Sequence, residues 1–238
     1  MPPARKLIAV SAVGFVVLNN TIAALLVFAA YGFDPELFLA DGELATRNLG
    51  TAGLMRWGAL IDMLGYLCVA PVVVYVHATA PGRGVTERVL ALCGLGFVLV
   101  GAIGAVLLAS AGAWLLESAA TGAVGIEAAR TVYGALESAV FVGLWGTLEL
   151  FLLGIWFAGV GRQLVPSSRR FGYVSIVAGV GCLGYSIRSG LTGRPPLPIE
   201  TAIDIAILAC VAFVPIWMLW LALRLARPSV APVASGLG

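Results

Sequence analysis

The chain has 238 residues, of which 61% are hydrophobic and 11% charged, with a formal net charge of +2 and a mean hydropathy of +1.02. An ordinary soluble domain carries roughly 25% charged residues, so this composition excludes a soluble globular protein and a disordered chain, and it offers no basic field for nucleic acid. Four cysteines are too few for a disulfide scaffold, which leaves a polytopic membrane protein.

A spanning helix needs about 20 apolar residues, and six runs satisfy this. The first is 7–31, preceded by Arg5 and Lys6 and too long for a signal peptide. It carries Asn19 and Asn20 near its middle. Segment 32–53 follows, with Asp34-Pro35-Glu36 as a helix start and then Leu37, Phe38 and Leu39. It is expected to lie on the membrane surface as a short amphipathic cap.

The second run, 54–76, places Gly58, Asp62, Gly65, Tyr66 and Val69 on one narrow face at about 100° per residue. The small residues are expected to leave room beside the carboxylate. His77, at the end of this run, reads as a solvated or capped side chain. The third run, 89–111, carries Gly94, Gly101 and Gly104 as surfaces for close helix approach. Segment 112–130, with Trp114, Leu115 and Leu116, is expected as a second surface cap.

The fourth run, 131–161, holds Glu137 and Glu149, and Glu137, Phe141, Trp145, Glu149 and Trp156 fall within a stripe of roughly 120°. The fifth, 171–190, contains Gly179-Val180-Gly181-Cys182-Leu183-Gly184. This matches a dinucleotide fingerprint, but it lies inside a span with no strand before it, so it reads as helix packing. Arg188 lies near the end of this run. The sixth, 201–225, carries Asp204 and Pro215, with Trp217 and Trp220 as interfacial belt residues. The tail 228–238 is rich in small residues and is expected to be disordered.

The expected fold is therefore all-α, a polytopic bundle of six transmembrane helices forming one domain over 1–227. Helices follow from the need to pair every backbone polar group inside hydrocarbon. With the N-terminus inside, nine Lys and Arg lie on the inner side (Arg5, Lys6, Arg83, Arg88, Arg162, Arg169, Arg170, Arg224, Arg227) and five on the outer (Arg47, Arg56, Arg130, Arg188, Arg194). This asymmetry puts both termini in the cytoplasm. The Ala/Gly/Val/Arg-rich composition suggests a high-GC bacterium and its cytoplasmic membrane.

Ionisable groups within spans are costly and are functional candidates by default. Depth counting at about 1.5 Å per residue puts Asp62, Glu137, Arg188 and Asp204 in the outer half and Glu149 near the midplane. The inner half looks nearly free of charge. Four carboxyls (Asp62, Glu137, Glu149, Asp204) stand against Arg56 and Arg188, so in low dielectric at least one of them, Glu149, is expected to be neutral. The expected site is an outward-opening pocket. Glu149, Asp62 and Glu137 would act in it as catalytic acids, with Trp145, Phe141, Trp156, Tyr66, Asn19, Asn20, Arg188 and Asp204 as its lining.

The one histidine, the one lysine (Lys6) and four cysteines scattered over four spans exclude multi-histidine metal centres, a haem, a buried Schiff base and a Ser-His-Asp triad. No metal or organic cofactor is expected. The expected partners are membrane lipid and a lipophilic small molecule, without nucleic acid, together with a second copy or a partner membrane subunit.

Several stretches, taken in order, resemble a bacterial family of small six-span membrane proteins of unknown function. They are Arg56-Trp57-Gly58…Asp62 through Pro71 and Tyr75, Gly146…Glu149-Leu150-Phe151-Leu152-Leu153-Gly154-Ile155-Trp156, Arg169-Arg170-Phe171-Gly172 and Pro215-Ile216-Trp217-Met218-Leu219-Trp220. The resemblance covers most of the chain and implies the six-span fold, with no activity attached. In size and acid placement the chain is also similar to integral-membrane terpene cyclases, an analogy of architecture rather than motif. Three functions are therefore in view. The first is a cofactor-independent enzyme, a cyclase or isomerase using a carboxylic general acid on an isoprenoid-like substrate. The second is a proton- or cation-coupled transporter. The third is a non-catalytic accessory subunit in which the acids join helices.

Overall fold

The computed structural model describes residues 3–32, 46, 49–79, 84–193 and 202–226, with side chains in the last segment described over 212–224. Among the described residues the secondary structure is helical throughout. We number the long helices α1 (Pro3–Ala30), α2 (Leu49–Thr79), α3 (Val85–Ala120), α4 (Ile126–Leu164), α5 (Arg169–Thr192) and α6 (Ala202–Ala226). The first five are long and apolar enough to cross a membrane, and the described apolar stretch of α6 is Ala212–Arg224.

The apolar surface is not confined to an inner stripe. Val10, Val74, Leu99, Val177 and Leu223, on five different helices, are each more than half exposed. A soluble bundle would turn such residues inward. Here large apolar side chains face outward as well as inward, as hydrocarbon solvent requires.

Each helix packs on the next, and α6 returns to the Pro3–Val17 part of α1, so the contacts run round all six. The most extensive contact joins α4 to α5, where Gly154 meets Gly179 and Gly161 meets Gly172. A Cβ added at any of the four would stand 2.6 to 2.8 Å from backbone atoms of the opposing helix. Van der Waals contact and backbone approach drive helix association in lipid, and these four glycines supply both. Gly179 thus does what packing requires of it, within a motif that only looks like a nucleotide loop.

Segment 112–130 is not a surface cap. Gly112–Ala120 continues α3 and Ile126–Arg130 opens α4, with only 121–125 between them. Leu115 and Leu116 are buried against Tyr31, Met55 and Tyr133, so the apolar face simply carries on past the expected end. At 36 residues, α3 would be about 54 Å long as a straight helix, well beyond a hydrocarbon core of about 30 Å. Gly122 at φ 74° ends α3 and Gly193 at φ 60° ends α5, positions in the left-handed region that glycine adopts without penalty. The other expected cap, 32–53, lies outside the described residues apart from its ends and Thr46, and Leu49–Gly53 belongs to α2. The tail 228–238 lies outside them too.

Three helices carry wide i→i+5 turns: Leu18–Ala23 in α1, Leu108–Gly112 in α3 and Ser138–Glu149 in α4. Such turns mark functional regions in many helices. Trp217 is not an interfacial belt residue: it is 1% exposed and packs edge-on to Trp156 at 5.6 Å between ring centres. Trp220 instead stacks on Phe171 at 3.7 Å, with the Arg224 guanidinium 5.1 Å from its ring centre.

Candidate functional site: an intramembrane carboxyl pair

On α2 the four-residue spacing of Asp62 and Tyr66 puts both on the face turned to α1 and α4. Asn19 Nδ2, in the wide turn of α1, donates to Asp62 Oδ1 and also lies against the Tyr66 hydroxyl. That hydroxyl donates to Glu149 Oε1 on α4 at 2.9 Å. Asp62 and Glu149 interact electrostatically with each other. Three helices thus bring two carboxyls, an amide and a phenol into one cluster. Glu149 is 5% exposed, and its Oε2 has no hydrogen-bond partner among the described residues.

The backing of this cluster is tight. A Cβ on Gly65 would stand 2.6 Å from Asn19 Cβ and 2.9 Å from Asn19 N. By sequence, Gly58 and Gly65 are expected to leave room beside Asp62. In the structure α1 fills that room, with Asn19 over Gly65 and Leu26 and Val27 over Gly58. The Tyr66 ring covers Gly101 of α3, where a Cβ would be 2.2 Å away, and meets Phe97 edge-on at 5.7 Å. Glycine at 101 is what lets the phenol cross the bundle to α4.

Glu137 does not join this cluster. It is 2% exposed and accepts a hydrogen bond from the Tyr31 hydroxyl, which lies 3.2 Å from that of Tyr133. This second group sits where α1 ends and α4 begins. The expected stripe of acids and aromatic rings on α4 is therefore divided. Its members were aligned assuming 3.6 residues per turn, whereas Ser138–Glu149 is wound more widely. Trp145 donates its indole N–H to the Gly101 carbonyl at 3.2 Å and meets Phe141 edge-on at 5.1 Å. Trp156 lies past the wide turns, at the end of the bundle that carries Pro3 and Ala226.

That end holds a third polar group, which the sequence reading missed. His77 is not solvated: Trp156 Nε1 donates to its Nε2 at 3.0 Å, and its Nδ1 lies 3.2 Å from Glu87 Oε2. Gln163 Nε2 donates to both Glu87 oxygens, at 2.7 and 2.8 Å. The half of the bundle expected to lack charge thus contains an imidazole and a carboxylate largely shielded from solvent, their side chains 7% and 18% exposed. The available signal was the chain's one histidine and one glutamine, each at the same end of its helix.

The remaining candidates stand apart. Asn20 is exposed on α1 and Arg188 is half-buried on α5, where it interacts with Tyr185. The side chain of Asp204 lies outside the described residues. Arg56 is held by Glu117 through two contacts of 2.8 Å, so it does not serve the acids. A groove of about 370 Å³ opens on the exterior between α4 and α5, lined by Thr147, Leu148, Phe151, Ser186, Ile187, Gly190 and Leu191. Among the described residues no group of three or more His, Cys, Asp or Glu is arranged to hold a metal. No protein-family model, curated protein or solved structure matches the chain.

Proposed function

We propose that the chain is a six-span protein of the cytoplasmic membrane, with both termini cytoplasmic, that carries protons or small cations through the Asp62–Glu149 site as a coupled transporter. The observation behind this reading is the pairing of two carboxyls whose hydrogen-bond donors, Asn19 and Tyr66, are neutral. Two anions side by side in low dielectric repel strongly and lack their hydration. The closed site therefore holds a proton or a small cation, and a site that must load and unload such an ion suits transport.

The arrangement of polar groups along the bundle supports the same reading. Glu137 with its tyrosines, the Asp62–Glu149 pair and the His77–Glu87 pair form three polar layers from one end of the bundle to the other, the first fully buried and the other two in part. A transmembrane route needs polar groups in the inner half as well, and the His77–Glu87 pair supplies them. The sixth span rests on α6 packing against both α5 and α1, and the orientation on the nine-to-five distribution of Lys and Arg.

The test is proton flux into proteoliposomes containing a trapped pH-sensitive dye, with an imposed cation or pH gradient. Wild type is expected to move protons, and Glu149→Gln and Asp62→Asn, folded by circular dichroism, to lose at least about tenfold of that rate, a change of about 1.4 kcal/mol in barrier. Equal flux in wild type and both variants would reject the reading.

A second reading is acid catalysis on an isoprenoid-like lipid. It is favoured by Glu149 Oε2, which lacks a partner among the described residues, and by the exterior groove that includes Thr147, two residues away. Conversion of a polyprenyl probe by wild type but not by Glu149→Gln would select it over transport.

A further inference from the structure

We infer that His77 and Glu87 form a second proton-binding site, separate from the Asp62–Glu149 pair, whose occupancy is transmitted to the aromatic core between α4 and α6 through Trp156. The inference stands on the chemistry of four side chains and does not depend on what the carboxyl pair does.

An indole N–H only donates. Trp156 Nε1, 3.0 Å from His77 Nε2, therefore requires a bare nitrogen there. The imidazole proton then sits on Nδ1 and points to Glu87 Oε2. Glu87 also accepts from Gln163 at both of its oxygens, so donors and acceptors alternate from Trp156 to His77 to Glu87, and the set is complete with the imidazole neutral. The His77 and Glu87 side chains are 7% and 18% exposed, so water contributes little to either.

A proton added to His77 Nε2 turns an acceptor into a donor that faces another donor. The Trp156 bond is lost, while the imidazolium gains attraction to the Glu87 carboxylate. Proton uptake thus exchanges one partner of the imidazole for a stronger hold on the other. Trp156 has no free space on the α3 side, because its Nε1 already stands 2.9 Å from where a Gly94 Cβ would be. It is fully buried, edge-on to Trp217 of α6. Its displacement therefore reaches α6.

The charged group in contact with the imidazole is Glu87. Of the other ionisable groups near this end of the neighbouring helices, Arg88, Arg162, Lys6, Arg169, Arg170 and Arg224 are exposed, and Arg5 and Tyr75 are intermediate.

The chain contains one histidine and six tryptophans, which makes the test direct. The full-length protein, labelled with ¹⁵N-histidine and ¹⁵N-tryptophan, is titrated in nanodiscs from about pH 8 to about pH 5, the range in which imidazoles change charge. At the upper end the histidine is expected to carry its proton on Nδ1 alone. On acidification both ring nitrogens become protonated, and one indole N–H resonance, absent in Trp156→Phe, moves with the same midpoint. Three results would overturn the inference: a neutral form protonated on Nε2, an imidazole that titrates while every indole signal stays still, or an imidazole that stays neutral throughout in folded protein. The wild-type titration decides these even where a variant does not fold.

Discussion

Tyr66 on α2 lies over Gly101 of α3 and donates its hydroxyl hydrogen to Glu149 Oε1 on α4. One side chain thereby joins three helices at the carboxyl pair. Tyr66→Phe keeps the ring and removes the donor, leaving a buried carboxyl without its partner. The expected loss is about 1–3 kcal/mol, the range for a buried group deprived of its hydrogen bond. Thermal unfolding in detergent reads the stability, and an infrared shift of the carboxyl stretch that disappears in the Tyr66→Phe, Glu149→Gln double variant assigns it to Glu149.

Gly101→Ala tests the same junction from the other side. Its methyl group would stand 2.2 Å from the Tyr66 ring, so either the ring or α3 must shift. Overpacking of this kind costs about 1–3 kcal/mol. Gly184→Ala is the control, because nothing lies within 4 Å of its added Cβ. It is expected to be neutral or to stabilise its helix by up to about 1 kcal/mol. Equal unfolding temperatures for the two variants would contradict the packing described for Tyr66.

Tyr31→Phe removes a donor from Glu137 and the hydroxyl next to that of Tyr133. Its expected cost is again about 1–3 kcal/mol. Glu137 belongs to a different cluster from Glu149, so Tyr31→Phe and Tyr66→Phe should be additive within about 0.5 kcal/mol. A larger coupling in the double-mutant cycle would mean that the two buried acids communicate.

Arg56→Ala is expected to matter little. Its bidentate contact with Glu117 is partly solvated, the side chains being 39% and 45% exposed, and pairs of this kind contribute about 1 kcal/mol or less. The remaining effect should diminish as salt is added, which unfolding at two ionic strengths would measure.

The helices were legible in the sequence because apolar runs of spanning length have few alternatives in hydrocarbon. The Asp62–Tyr66 face was legible for a similar reason, since a spacing of four residues holds on any regular α-helix. The α4 stripe failed because a sequence does not announce wide turns, and Ser138–Glu149 shifts every residue after it around the axis. Gly58 and Gly65 were misread because a small side chain signifies either vacant space or a neighbour pressed close, and only the partner helix decides which. His77 was misread because an imidazole at a helix end is usually wet. Its burial depends on Trp156, Glu87 and Gln163, none of which is near it in sequence apart from Glu87, ten positions on.

α6 returns to α1 chiefly along Pro3–Val17, which fastens the first and last helices together at the end of the bundle that carries His77. A second copy or another subunit approaching in the bilayer at that end would find this seam already shut by the chain itself.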